Sequence, residues 1–315
     1  MNEFTPALAL QAALVTEMAA VNASMLIGLG DEKAADQAAV DAMRNGLNAM
    51  PIRGRVVIGE GERDEAPMLY IGEEVGLGDG PEIDIALDPL EGTTLTAKAM
   101  PNALAVMSFS PRGGLLHAPD VYMQKLAIGP GYAAGIIDIN ASPAENVRAV
   151  AKAKGVPVEQ IGVCVLDRAR HGAMIDELRE VKARIHLITD GDVQGVINTT
   201  NPKSGIDLYM GSGGAPEGVL AASALRCIGG QIQGKLMFRN NDEVTRARNV
   251  GIDDLDKVYD IQGLAKGPTI FSATGVTHGS LLDGVRIEDG KVHTESLIMN
   301  SMDGSVQRLR SVRSI

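Results

Sequence analysis

The stretch IALDPLEGTTLTAK at 85–98 ends an apolar run in Asp88, then gives Pro89 and Leu90, then Glu91, Gly92, Thr93 and Thr94. Two carboxylates three residues apart on a short loop stiffened by proline are hard oxygen donors. They suit Mg²⁺ or Mn²⁺ rather than Zn²⁺, and the five histidines show no zinc-ligand spacing. Gly92 frees backbone N–H groups. Thr93 or Thr94 is placed to cap a following helix, whose first N–H groups bind phosphate. The competing reading is an ordinary Asp-Pro turn with a threonine cap. The coincidence of acids, turn and cap favours metal and phosphate chemistry.

Other acids follow the same pattern. Glu60 and Glu62 lie in GEGE just after the apolar VVIG, on an extended segment whose alternation points both to one side. Asp190, Gly191 and Asp192 follow IHLIT. Asp36 begins a four–three spacing with Val40, Met43, Leu47 and Met50, so it lies in line with the apolar stripe of a helix. A carboxylate there is either paired with a cation or sits at the helix start facing the positive end of the dipole. GSGGAPEG at 211–218 reads as a glycine-rich loop entering a helix, with Pro216 at the first helical position and Glu217 in the first turn. Such a loop cradles a phosphate while Glu217 reaches a metal, or it is simply a tight strand-to-helix turn. Arg168 and Arg170 in LDRARH could grip a phosphate bidentately.

The elements that must position these residues alternate. Helical periodicity covers about 5–50, and short apolar runs at 55–59, 83–88 and 103–110 read as strands. Further along, strands at 161–167, 184–190 and 206–211 alternate with helices at 171–183, 193–198 and 215–227. That is an α/β (α+β) layered pattern, in which ligands bind beyond the carboxyl ends of strands. The tail at 295–313 reads as a hairpin turning at Asp303-Gly304. We expect a single catalytic domain over 1–315 in two layered halves, about 1–160 binding metal and about 161–315 binding substrate.

Composition narrows the function classes. Of 315 residues, 45% are hydrophobic and 22% charged, as in an ordinary globular protein. Aromatics are 3% with no Trp, and the net charge is −11, so a nucleic-acid partner is not expected. An anionic substrate would need a local positive centre, which bound cations supply. The apolar patch ALALQAALV at 7–15 lacks a basic flank and is too short to span a bilayer; it reads as an amphipathic helix, with no membrane partner expected. Two cysteines, Cys164 and Cys227, make no disulfide framework, which suits the reducing cytoplasm. GGQIQGKL at 229–236 nearly matches a P-loop, but Leu236 replaces the Ser/Thr and the segment leaves a helix for a strand, the reverse of the required context.

Taken together, the motifs GDEKAADQAAVDAMR, VVIGEGERDEAPMLYIGE, DPLEGTT, APDVYMQKLAIGPG, DRARH, LITDGDV, GGAPEGV and FSATGVT resemble the class II (GlpX-type) fructose-1,6-bisphosphatases, in family order over about 5–312. DPLEGT is also similar to the wider lithium-sensitive sugar-phosphatase group that includes the inositol monophosphatases. The resemblance implies a layered αβαβα sandwich. It implies that Asp36 and Glu60 hold one divalent metal, and that Asp88, Glu91 and Glu217 hold a second, with Mn²⁺ or Mg²⁺ as cofactor. It implies that Glu91, Gly92 and Thr93 contact the reacting phosphate. Tyr122, Arg168, Ala169, Arg170, Asp190, Gly191, Asp192 and Gly214 would hold the sugar bisphosphate. Homo-oligomers, dimer or tetramer, are implied as well. Lys33 stands one position nearer Asp36 than in the family's DKNAAD pattern, Arg168 replaces a Lys of some members, and Ala169 replaces a common Pro.

On this reading two metals clamp the attacking and leaving oxygens of an in-line displacement by water. Thr93 orients the water, and Asp64, in GERDEAP, accepts its proton; a surface salt bridge is the rival role for Asp64. The expected reaction is hydrolysis of the 1-phosphate of fructose 1,6-bisphosphate. Sedoheptulose 1,7-bisphosphate is the alternative or additional substrate. A phosphotransferase reading phosphates through GGQIQGKL and a non-catalytic sugar-phosphate binder are the readings from other classes.

Overall fold

The structure is a computed structural model that describes residues 4–61 and 68–314. The chain opens with α1 (Pro6–Ser24), α2 (Glu32–Asn48), β1 (Arg53–Ile58), β2 (Glu74–Val75), β3 (Glu82–Glu91), α3 (Thr93–Ala97) and β4 (Leu104–Pro111). There follow β5 (Tyr122–Ile128), α4 (Pro143–Lys154), β6 (Gly162–Leu166), α5 (Gly172–Glu180), β7 (Arg184–Ile188), α6 (Asp192–Asn198) and β8 (Leu208–Gly214). Next come α7 (Ala215–Ile228), β9 (Gln231–Met237), α8 (Asn241–Asn249), β10 (Val258–Tyr259) and α9 (Ile261–Leu264). The chain ends in β11 (Ile270–Gly275), β12 (Arg286–Glu288), β13 (Lys291–Asn300) and β14 (Ser305–Ser314). The α/β alternation and the C-terminal hairpin are present; the hairpin closes with Asn300 opposite Ser305 and Gly304 at φ +68.

Two compact units result. One comprises 1–117 and 265–315, the other 118–264. The division expected near residue 160 therefore falls elsewhere, because β11 inserts between β4 and β13 and returns the tail to the first sheet. Local periodicity carries no trace of that long-range pairing.

In the first unit the sheet runs β12-β13-β11-β4-β3-β1-β2, with β14 added on β13. Only β1 and β3 are parallel among the pairs named for it. α1 and α2 pack together and cover one face with Ile83, Ile85, Leu87, Met107 and Phe109. Thr5 caps α1, accepting from the Leu8 N–H at 3.3 Å, a bond type that contributes about 1 kcal/mol. By length and composition α1 is apolar enough to cross a membrane, yet Ala12, Ala13, Ala19, Ala20 and Ala23 lie packed within the core. It is not the amphipathic helix expected: Leu10, Leu14 and Met18 are exposed on its other side. Small alanines let the helix lie close to the sheet. Its buried Glu17 accepts from Thr294 Oγ1 at 2.9 Å and Ser311 Oγ at 2.5 Å, and pairs with Arg313.

In the second unit the order is β10-β9-β5-β8-β6-β7. β6 is parallel to β7 and β8, while β5 runs antiparallel to β8 and β9. The carboxyl ends of β6, β7, β8 and β9 and the start of β5 thus share one edge. α4 and α5 contribute to one core cluster with Val163, Val165, Leu208 and Met210. α6 and α7 pack together and against β8, with Gly195 lying close to Cys164 and Tyr209, which point to the opposite face. This unit is therefore a helix–sheet–helix stack.

Candidate active site

In the first unit the candidate acids lie near the ends of β1 and β3, but the strand end and loop expected at Asp88 are not formed: β3 runs on through Pro89 and Leu90 to Glu91, held by its pairing to β4. β1 and β3 are parallel, with Ile58 opposite Ala86, so Glu60, two residues on in one chain segment, and Asp88, two residues on in the other, stand at the same level. Asp88 and Glu91, three residues apart, would alternate to opposite faces of a regular strand. Here Asp88 pairs with Val106 and Glu91 with Leu104, two residues of β3 facing one of β4 between them. That bulge adds one residue and returns both carboxylates to one face. Asp88 Oδ1 accepts the Leu90 N–H at 3.0 Å, stiffening the bulge, and Glu91 is 3% exposed. Gly92 follows at φ +91, a left-handed conformation that favours glycine, and a Cβ there would come within 2.8 Å of Leu95. Gly92, not Thr93 or Thr94, is the N-cap of α3, and Thr93 occupies its first position. The αL turn supplies the change of direction expected from a threonine cap.

α2 packs on β3 and α3. Val40, Met43 and Leu47 are buried along it and Asp36 is half-buried at the start of that stripe. The helix-start role belongs to Asp31, which accepts from the Ala34 N–H at 2.9 Å. Burial pushes the Asp36 carboxyl up, as expected of a group that a cation would stabilise. Lys33 is exposed. Glu60 is half-buried, its N–H donating to the Leu69 carbonyl at 3.1 Å. Gly61 turns the chain at φ +122, so the extended alternation expected for GEGE is broken there. Glu62 and Asp64 lie outside the described residues.

The second unit carries the other expected residues at the shared strand edge. GSGGAPEG is not a loop. β8 continues through Gly211, Ser212, Gly213 and Gly214, paired to β5, and passes directly into α7 with Gly214 as N-cap. The glycines are needed because a side chain at Gly213 would collide with Asp192, and one at Gly214 with Glu217. Asp192, 6% exposed at the start of α6, pairs with Lys125, which is 1% exposed in β5. Lys125 also donates to the Gly214 carbonyl at 2.9 Å. Asp190 and Gly191 form the turn before α6, with Gly191 at φ +84 as its cap.

Glu217 folds back beside this pair. Burial and the neighbouring Asp192 push its carboxyl up to about 7, against the opposing pull of Lys125. Its Oε2 is buried with no hydrogen-bond partner among the described residues. An orphaned, buried carboxylate oxygen fits a divalent cation, and so, taken by themselves in the first unit, do Asp88 and Glu91 on one face. Among the described residues, no group of three or more His, Cys, Asp or Glu side chains is already gathered as a metal cluster.

After β6, Arg168 caps a short 3₁₀ turn, Ala169 opens it, and Arg170 reaches back to β8. The Arg170 Nε–H donates to Ser212 Oγ at 3.0 Å and Nη2 to the Ser212 carbonyl at 2.5 Å. Its guanidinium lies 4.9 Å from the centre of the Tyr122 ring. His171 secures that arrangement: Nδ1–H donates to the Leu166 carbonyl at 2.7 Å and Nε2 accepts the Ser212 N–H at 2.9 Å. This bonding requires neutral imidazole, and burial lowers its pKa accordingly.

Sequence reasoning missed Lys125, Ser212 and His171, which fix the strand edge around Asp192 and Arg170. A lysine between Met123 and Leu126 in an apolar strand was a legible signal for Lys125.

A family profile described as "Bacterial fructose-1,6-bisphosphatase, glpX-encoded" matches residues 6–313. The chain belongs to this GlpX-type family. It is 45% identical over 320 residues to a protein of Synechococcus sp. (strain JA-2-3B'a(2-13)) named D-fructose 1,6-bisphosphatase class 2/sedoheptulose 1,7-bisphosphatase, covering 93% of this chain and 91% of that one. A protein of the same name from Prochlorococcus marinus (strain NATL1A) is 43% identical over 312 residues, covering 95% and 93%. The family's DPLEGT signature thus coincides in this chain with the β3 bulge, the αL glycine and the first turn of α3.

Proposed function

We propose that this protein is a divalent-metal-dependent sugar-bisphosphatase that releases the 1-phosphate of fructose 1,6-bisphosphate, with sedoheptulose 1,7-bisphosphate as a second substrate. The reading is carried by the β3 bulge, which brings Asp88 and Glu91 to one face immediately before Gly92 and Thr93. It is supported by the family membership and by the dual name of the relatives. Kinship with the wider lithium-sensitive sugar phosphatases belongs to the same proposal.

Asp36, Glu60, Asp88, Glu91 and Glu217 are the carboxylates that would hold Mn²⁺ or Mg²⁺. The bound ions supply Lewis-acid stabilisation of charge on the phosphoryl oxygens. Glu91, Gly92 and Thr93 contact the reacting phosphate: the backbone N–H groups beyond Gly92 point at its oxygens, and the Thr93 hydroxyl orients the attacking water. Asp64 accepts the water's proton. Tyr122, Arg168, Ala169, Arg170, Asp190, Gly191, Asp192 and Gly214 bind the sugar bisphosphate; guanidinium groups offset its charge of about four near neutral pH. Buried Cys164 and Cys227, both free, suit a reducing cytoplasm. A homo-oligomer, dimer or tetramer, completes the proposal.

The test is phosphate release from fructose 1,6-bisphosphate and sedoheptulose 1,7-bisphosphate with Mg²⁺, Mn²⁺ or EDTA. Metal-dependent release abolished by EDTA is expected, and the ratio of rates names the preferred sugar. Release that persists in EDTA would overturn the metal-dependent reading. No release from either sugar would overturn the substrate assignment.

A further inference from the structure

Arg239 has no role in the reading above, yet it stands at the same strand edge. Tyr122 begins β5 and pairs with Gly214 on one side and with Met237, the last residue of β9, on the other. The chain leaves β9 at that point, and the Arg239 guanidinium lies 5.0 Å from the centre of the Tyr122 ring. Arg170 lies 4.9 Å from the same centre. Two guanidinium groups are therefore held against one ring, no more than about 10 Å apart, which puts two forks of N–H donors for anionic oxygens at one strand edge.

The charges around them are unevenly matched. Arg170 donates to the neutral oxygens of Ser212. Arg239 pairs with Glu243, whose carboxylate also accepts the Arg239 backbone N–H at 2.7 Å. Glu243 is almost wholly buried while the Arg239 side chain is 60% exposed, so the open side of the guanidinium faces solvent. Arg168, on the adjoining turn, adds a third positive charge. Asp120 adds one carboxylate on the Arg239 side, and Asp192 is already engaged by Lys125. In a chain of net charge −11 this is a cationic seat with a rigid aromatic spacer. Its contacts are guanidinium N–H groups and a ring, which grip an anion and do not activate water.

We infer that Arg239 is a substrate-binding residue that, with Arg170, holds the phosphate that is not cleaved and so sets the preference for bisphosphates over monophosphates. This rests on the sugar-bisphosphatase reading proposed above, with the reacting phosphate at Gly92 and Thr93. Asn240 caps α8 by accepting from the Glu243 N–H at 2.9 Å, and Glu243 in turn clamps Arg239, so the arginine is preorganised before substrate arrives.

The experiment compares wild type with Arg239→Gln, Arg239→Lys and Glu243→Gln. Steady-state kinetics use fructose 1,6-bisphosphate and p-nitrophenyl phosphate, which has no second phosphate. Calorimetric binding of fructose 1,6-bisphosphate is measured in EDTA. Arg239→Gln should raise KM for the bisphosphate about tenfold with kcat within about threefold, weaken binding equally, and leave kcat/KM for p-nitrophenyl phosphate unchanged. Arg239→Lys keeps the charge but not the planar fork and should fall between. Glu243→Gln should lower thermal stability more than affinity, which separates damage to α8 from loss of the grip. If Arg239→Gln leaves bisphosphate KM and binding unchanged, or weakens both substrates alike, the inference is overturned. A wild type that binds the bisphosphate without hydrolysing it overturns the function and not the inference, which then stands or falls on the binding of the variants. A wild type that neither hydrolyses the bisphosphate with Mg²⁺ or Mn²⁺ nor binds it in their presence overturns both.

Discussion

Lys125→Met offers a quantitative test of the buried pair beneath the second unit's strand edge. Lys125 is 1% exposed and Asp192 6% exposed, so neither charge is solvated by water. Methionine fills the volume of the lysine stem but leaves the Asp192 carboxylate without its cation and the Gly214 carbonyl without its donor. The Tyr209 hydroxyl, 3.4 Å from Asp192 Oδ2, is too distant to compensate. Removing one partner of a buried pair costs about 3–5 kcal/mol, and the orphaned carbonyl adds about 1 kcal/mol. For a unit spanning 118–264, each kcal/mol lowers Tm by roughly 2–4 °C, so a fall on the order of 10 °C is expected. Replacing both charges, as Lys125→Met with Asp192→Asn, removes the uncompensated charge and should recover about 2–3 kcal/mol of the loss, the scale of coupling between contacting groups. The assay is thermal and urea unfolding of the wild type, both single variants and the double variant, followed by a signal from the second unit. A Lys125→Met loss below about 1 kcal/mol, or a double variant no more stable than either single, would refute the argument that this pair is held in low dielectric.

Two further outcomes follow from the same geometry. Glu91→Gln or Thr93→Ala should reduce phosphate release by at least about 10²-fold while far-UV circular dichroism and Tm stay near wild type; undiminished turnover in both variants would remove the site assignment. Neutral His171 should contribute a pH-dependent stability. Its folded pKa lies below the ordinary 6.5, so the unfolded chain takes up the proton first as pH falls. The contribution is complete above about pH 6.5 and is lost below it, with a slope of at most about 1.4 kcal/mol per pH unit. A wild-type and His171→Gln pair whose stability difference is the same at pH 7.5 and pH 5 would contradict this.

Much of the candidate site was legible because its residues are local to one another. DPLEGTT carries acids and glycine within seven residues, and the strand-end rule placed Asp190 and Asp192 beyond β7 from an apolar run alone, whereas Asp88, expected to close its strand, lies within β3. The α/β alternation was readable for the same reason, since period-two and period-3.6 patterns are properties of short windows. What those windows could not show was pairing. That Asp88 and Glu91 share a face depends on β4 opposing two residues with one. That GSGG is strand depends on β5 lying beside it, and on Asp192 and Glu217 occupying the space that side chains would need. The unit boundaries depend on β11 sliding between β4 and β13. Lys125 finds Asp192 and Arg239 finds Tyr122 across 67 and 117 residues, respectively. Residue type and short-range spacing determined the chemistry available to this chain. Which of those groups meet was decided by sheet register, because a one-residue shift in pairing carries every side chain of a strand to its other face.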